Sequence, residues 1–98
     1  MKKIHVENMI SSNGNSVPNQ FVIKKEKEGS YYSLTFQSYS SAIAKITFDH
    51  HGTKTVLDKN YWDYSVTTGK YRNQFLNETK KETEAKIKSG EYKLVNLN

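Results

Sequence analysis

Between Phe21 and Leu57 lie two stretches in which apolar side chains recur at every second position, each folded back at a glycine-bearing turn. A period of two places successive side chains on opposite faces of a pleated strand, so these stretches must build sheet rather than helix. In "QFVIKKEKEGSYYSLTFQSY", Phe21 and Ile23 share one face, and Glu28-Gly29-Ser30 turns the chain. Tyr32, Leu34 and Phe36 share a face of the returning strand, which completes a hairpin. In "SAIAKITFDHHGTKTVLD", Ala42, Ala44, Ile46 and Phe48 alternate against Ile43, Lys45 and Thr47. His51-Gly52 turns the chain, and Thr55, Val56 and Leu57 resume it. β-Branched Ile46 and Thr47 favour strand over a helix at 41–45. Lys2 to Ile10 alternates more loosely. Asn13-Gly14 then marks a turn, and Pro18 is expected to keep its loop out of a central strand. A short strand at Tyr61-Trp62 would close the sheet.

After Trp62 the period changes. Thr67 or Thr68 can cap a helix, and Tyr71 and Phe75, four apart, share a helical face with Arg72 and Leu76 beside them. "NETKKETEAKIKSG" predicts a second helix. Asn77 or Thr79 caps it, acids cluster early, Lys86 and Lys88 sit late, and Gly90 stops it. Leu76, Thr83 and Ile87 give that helix a thin apolar stripe. "EYKLVNLN" reads as a terminal strand or tail. The expected fold is α+β over residues 1–98 as one domain. An antiparallel sheet of four to six strands is followed by one or two C-terminal helices packed on one face.

Composition narrows the function classes. Ninety-eight residues support only a small core, and seven Tyr, four Phe and one Trp argue for a folded chain. Without cysteine there is no disulfide, thiolate metal site or thiol nucleophile, which fits a cytoplasmic protein. The N-terminal "MKKIHVENMI" is not a secretory signal, and no apolar run approaches a membrane span. The net charge of +5 suits either solubility or an anionic partner. Arg72 is the only arginine, and lysine lacks the fork that reads guanine, so sequence-specific DNA reading is not expected.

Three constellations could carry chemistry. Asp49, His50 and His51 in "DHHG" offer zinc ligands, with His5 from another strand and Asp58 or Asp63 to complete four. The competing reading is a polar hairpin tip, because adjacent histidines lack the spacing of strong zinc motifs. Tyr31, Tyr32, Phe36 and Tyr39, with Lys24, Lys25 and Lys27 across the hairpin, could stack single-stranded nucleic acid. Alternation already accounts for those aromatics as sheet packing. Lys70, Arg72, Asn73 and Gln74 have no packing duty in the sequence reading, so a working surface on the first helix is expected there. No GxSxG elbow, ordered triad or phosphate loop is present, and a non-enzymatic protein is expected.

"PNQF" (18–21), "FQSYSSAIAKI" (36–46), "WDYSVTTGKYRNQFL" (62–76) and "KIKSGEYKLVNLN" (86–98) together resemble a family of small uncharacterised proteins. That family is common in phages and mobile elements of Gram-positive bacteria, and the resemblance covers about residues 17 to 98. It implies no reaction, and "DHH" is not among its hallmarks. It implies an accessory protein that works by binding host defence machinery, such as an anti-CRISPR inhibitor of a Cas9-type nuclease. The alternative is a nucleic-acid-binding accessory protein of the same mobile element.

Overall fold

The structure, a computed structural model, describes residues 2–98. Five strands form an antiparallel meander: β1 (Lys2–Ile10), β2 (Ser16–Lys27), β3 (Ser30–Ser38), β4 (Ser41–Asp49) and β5 (Gly52–Asp58). Two helices follow, α1 (Val66–Leu76) and α2 (Lys80–Ser89). The chain then returns as β6 (Lys93–Val95), parallel to β5, giving one six-stranded sheet in the order β1-β2-β3-β4-β5-β6. This is the expected α+β class, with the terminal strand parallel rather than antiparallel. Among the described residues no helix is long and apolar enough to cross a membrane.

Both helices cover one face of the sheet. Phe36 and Ala44, paired across β3 and β4, are fully buried on that face, as is Leu57 beside Ala44. Met9, Phe36, Ile43 and Tyr71 make one core cluster, and Ala44, Leu57 and Tyr92 make a second. Phe75 of α1 packs against both, its ring 5.8 Å from that of Phe36. Burial of two consecutive residues, Ile43 and Ala44, needs a break in the alternation. The pairing steps from Phe36–Ala44 to Gln37–Ala42 and leaves Ile43 as the extra residue of a bulge. The bulge turns Ile43 inward, where strict alternation would place it outside.

Several local expectations are corrected. Pro18 lies inside β2, a central strand, and is accommodated where the β1–β2 pairing is irregular between Asn8–Phe21 and Ile10–Ser16. Tyr61 and Trp62 lie in a turn, not a strand. Asp58 explains why: its carboxylate accepts from the backbone N–H groups of Asn60 and Tyr61, which ends β5. The same carboxylate accepts from Leu97 N–H, tying the C-terminal residues down. α1 is capped by Ser65, whose Oγ accepts from Thr68 N–H at 3.1 Å. Thr68 itself is buried, its hydroxyl 2.9 Å from Ser38 Oγ on the sheet. Asn77, in the left-handed region, ends α1 instead of starting α2.

α2 follows its sequence signals more closely. Thr79 and Glu82 form a reciprocal capping box, and Gly90 ends the helix with φ 87°. The helix docks through a polar hub. Glu78 accepts from Lys86 Nζ (2.8 Å), Tyr92 hydroxyl (2.8 Å) and Thr83 hydroxyl (2.5 Å). Burial opposes its charge, but these three donors outweigh that and hold the Glu78 carboxyl below its ordinary range.

Candidate functional site

The strand-to-helix segment builds a cleft of about 600 Å³ at the start of α1, lined by Asp63, Val66, Gly69, Lys70, Arg72 and Lys80 among others. Its floor is Arg72, whose side chain is only 1% exposed. The guanidinium carbon sits 5.2 Å from the Trp62 ring centroid. Nη1 donates to Trp62 carbonyl (2.7 Å) and Asp63 Oδ1 (3.0 Å), and Nη2 donates to Asn73 Oδ1 (3.0 Å). Lys80 of α2 closes on the other Asp63 oxygen at 2.7 Å. Burial would raise the Asp63 carboxyl, but hydrogen bonds from Lys80 and Arg72 pull it below its usual value.

This arrangement corrects the expectation for Arg72. It is not a free contact residue: it clamps the 59–65 loop to α1, while Asp63 carries the link on to α2. Asn73 helps hold it, and Gln74 donates to Ile10 carbonyl at 2.7 Å, tying α1 to the end of β1. Of the four residues expected without packing duty, only Lys70 stays clear, its ammonium 5.4 Å from the Tyr71 ring. Within the cleft the one carboxylate, Asp63, is shared between Arg72 and Lys80.

The histidines do not assemble a metal centre. His50 and His51 sit side by side in the β4–β5 turn, ring centroids 4.1 Å apart, and Asp49 Oδ1 accepts from His51 N–H. His5 lies on β1, three strands from β4, a separation of roughly 14 Å at ordinary strand spacing. Asp58 is at the opposite end of β5 from that turn, and Asp63 belongs to Arg72 and Lys80. Among the described residues no group of three or more His, Asp or Glu could hold a metal ion. Asp49, His50 and His51 share the β4–β5 turn, and His5 is not brought to them.

The aromatic platform is also divided. Phe36 is core. Register places Lys24 on the helix-side face with Tyr31, its ammonium 5.6 Å from that ring. Lys25 and Lys27 point to the other face.

That other face is the larger feature. No helix covers it. Its rows read Ile4–Lys25–Ser33–Thr47–Lys54, then Val6–Ile23–Thr35–Lys45–Val56–Lys93, flanked by Asn8–Phe21–Gln37–Ala42 and by Lys2–Lys27. Ile4 and Val6 are 66% and 61% exposed. The lysines at 2, 25, 27, 45, 54 and 93 thus share a surface whose carboxylates lie only at its rim: Asp49 in the turn, and Asp58, buried and committed to backbone N–H groups. On the helix-side face, by contrast, Lys24 pairs with Glu7 at 3.1 Å. Sequence reasoning missed Lys2, Lys45, Lys54 and Lys93 as members of this surface. The parity of each strand was legible, but joining parities across strands requires the pairing register.

A profile of a family of unknown function, DUF8033, matches residues 4–91. The chain belongs to that family. The DUF8033 match runs from β1 through α2, so it includes the Arg72 clamp, the covered core apart from Tyr92, and most of the open face. Neither the curated proteins nor the solved structures contain a match.

Proposed function

We propose that the protein is a non-enzymatic binding protein that lays the open face of its sheet on an acidic surface of a partner protein. On the family resemblance drawn above, the partner is a bacterial defence complex of the Cas9-nuclease type, and the protein acts as a phage-type inhibitor in the host cytoplasm. The observation that carries the reading is the open face itself, where lysines interleave with exposed aliphatic side chains and no carboxylate lies between them. Such a surface gains from apolar burial and from an opposite charge at once. It fits a protein better than single-stranded nucleic acid, because of its aromatic residues only Phe21 is placed there by pairing, and stacking needs several rings.

The test is a pull-down of Cas9-type complexes with the wild-type chain and with a Lys25→Glu/Lys45→Glu/Lys54→Glu variant, alongside a target-cleavage assay. The expected result is capture and loss of cleavage by the wild type, both abolished in the variant. Absence of capture by the wild type overturns the defence-complex reading. Oligonucleotide binding that falls steeply with salt, with no protein capture, would transfer the same face to the nucleic-acid alternative.

A further inference from the structure

We infer that β1 is a self-association edge, and that two copies of this chain join through antiparallel β1–β1 pairing into a continuous twelve-stranded sheet. β1 is the outermost strand of the sheet, nine residues long, and the backbone groups on its outer side have no partner strand. The opposite edge is only the three-residue β6. A long uncapped edge is a ready template for another strand.

The side chains of β1 specify which strand. Place a two-fold axis perpendicular to the sheet at His5, so that His5 faces the partner's His5. Antiparallel pairing then sets Ile4 opposite the partner's Val6, and Val6 opposite the partner's Ile4. Both are exposed on the open face in the single chain. It sets Lys3 opposite the partner's Glu7, and Glu7 opposite the partner's Lys3, both on the helix-side face. Lys2 meets the partner's Asn8. In this register the apolar Ile4–Val6 pair, the opposite-charge Lys3–Glu7 pair and the polar Lys2–Asn8 pair each occur twice, and His5 meets its own copy once, on the axis. Moving the axis one residue, to Val6, would set Ile4 against Asn8 and Lys3 against Met9, which loses both matches. Directly opposed apolar and opposite-charge pairs are the ones that stabilise adjacent strands. The axis keeps both pairs of helices on one side and makes the two open faces continuous.

A strand pair of seven residues is small beside ordinary stable interfaces, so the dimer should dissociate between roughly 1 µM and 1 mM. Sedimentation equilibrium of the full chain over that range tests the inference. The wild type is expected to dimerise. Lys3→Glu, which sets carboxylate against carboxylate, should weaken association at least about tenfold, as should Glu7→Lys. The double variant Lys3→Glu/Glu7→Lys, which restores the pairs with signs exchanged, should recover it. Circular dichroism and melting of each variant check that the monomer still folds. As a second reading on unmodified protein, amide exchange along β1 should slow as concentration rises. A chain that stays monomeric to 1 mM, or a dimer indifferent to the single charge reversals, overturns the inference. Neither result bears on capture of a defence complex, so this inference and the proposed function fail separately.

Discussion

The two faces of this sheet are made from the same strands, yet they solve different problems. On the helix side Phe36, Ala44 and Leu57 are sealed under Tyr71, Phe75 and Tyr92, and the buried hydroxyls of Ser38, Thr68 and Thr83 have hydrogen-bond partners. On the open side Ile4 and Val6 stand in solvent among lysines that have no acidic neighbours within their rows. One face is closed and pays for the fold. The other is left open in both its apolar surface and its charge, which is what the proposed binding role requires.

The same substitution on both faces should separate them most widely. Phe36→Ala empties a fully buried site and is expected to cost about 3–5 kcal/mol. Phe21→Ala, on the open face and only partly covered, should cost about 1–2 kcal/mol by lost burial alone. Urea denaturation midpoints of the two variants measure the contrast, and equal costs would mean that the open face is covered by something in solution.

Next in size is the polar hub under the covered face. The carboxyls of Glu78, Asp63 and Asp58 all sit below their ordinary values in the folded chain: burial opposes each, and the hydrogen bonds they accept outweigh it. Groups shifted in that direction stabilise the fold fully above their unfolded values, 4.5 for Glu78 and 3.8 for the aspartates. That stabilisation is lost as pH falls through the lower folded values. Stability should therefore drop progressively from about pH 5 downward. Glu78→Gln should cost about 1–3 kcal/mol at neutral pH and make the acid loss shallower. Melting temperatures across pH 2–7 for the two proteins check both halves of this statement.

The smallest expected effect sharpens the comparison from the other side. Lys45→Glu on the open face should leave the urea midpoint within about 0.5 kcal/mol of wild type while removing partner capture. A large loss of stability would show that this lysine belongs to the fold and not to a binding surface.

Much of the architecture was legible because it rests on local chemistry. Alternation at Phe21–Ile23 and at Leu34–Phe36 identified strands, and Thr79, Glu82 and Gly90 bracketed α2. What failed depended on contacts between distant residues. Ser65, not Thr67 or Thr68, caps α1 because Thr68 is drawn down to Ser38 on the sheet. Ile43 turns inward through a bulge that appears only when β4 is aligned with β3. Arg72 looked like a free cation because its nearest acid, Asp63, lies across a loop and not one helical turn away. The zinc set scattered for the same reason: composition counts ligands, and strand order separates them. The open lysine face was in the sequence only as single parities, and strand pairing gathered them.

The parallel closure of the sheet has a consequence for how the chain reaches this state. The meander from β1 to β5 grows by hairpins, each joining residues close in sequence, so it can form early and strand by strand. β6 reaches its place only after both helices are laid down, and the Leu97–Asp58 bond that secures it closes a loop of 39 residues. Folding is thus expected to finish at the C-terminal edge. Damage to that seam, as in Asp58→Ala, should show as faster unfolding more than as slower folding.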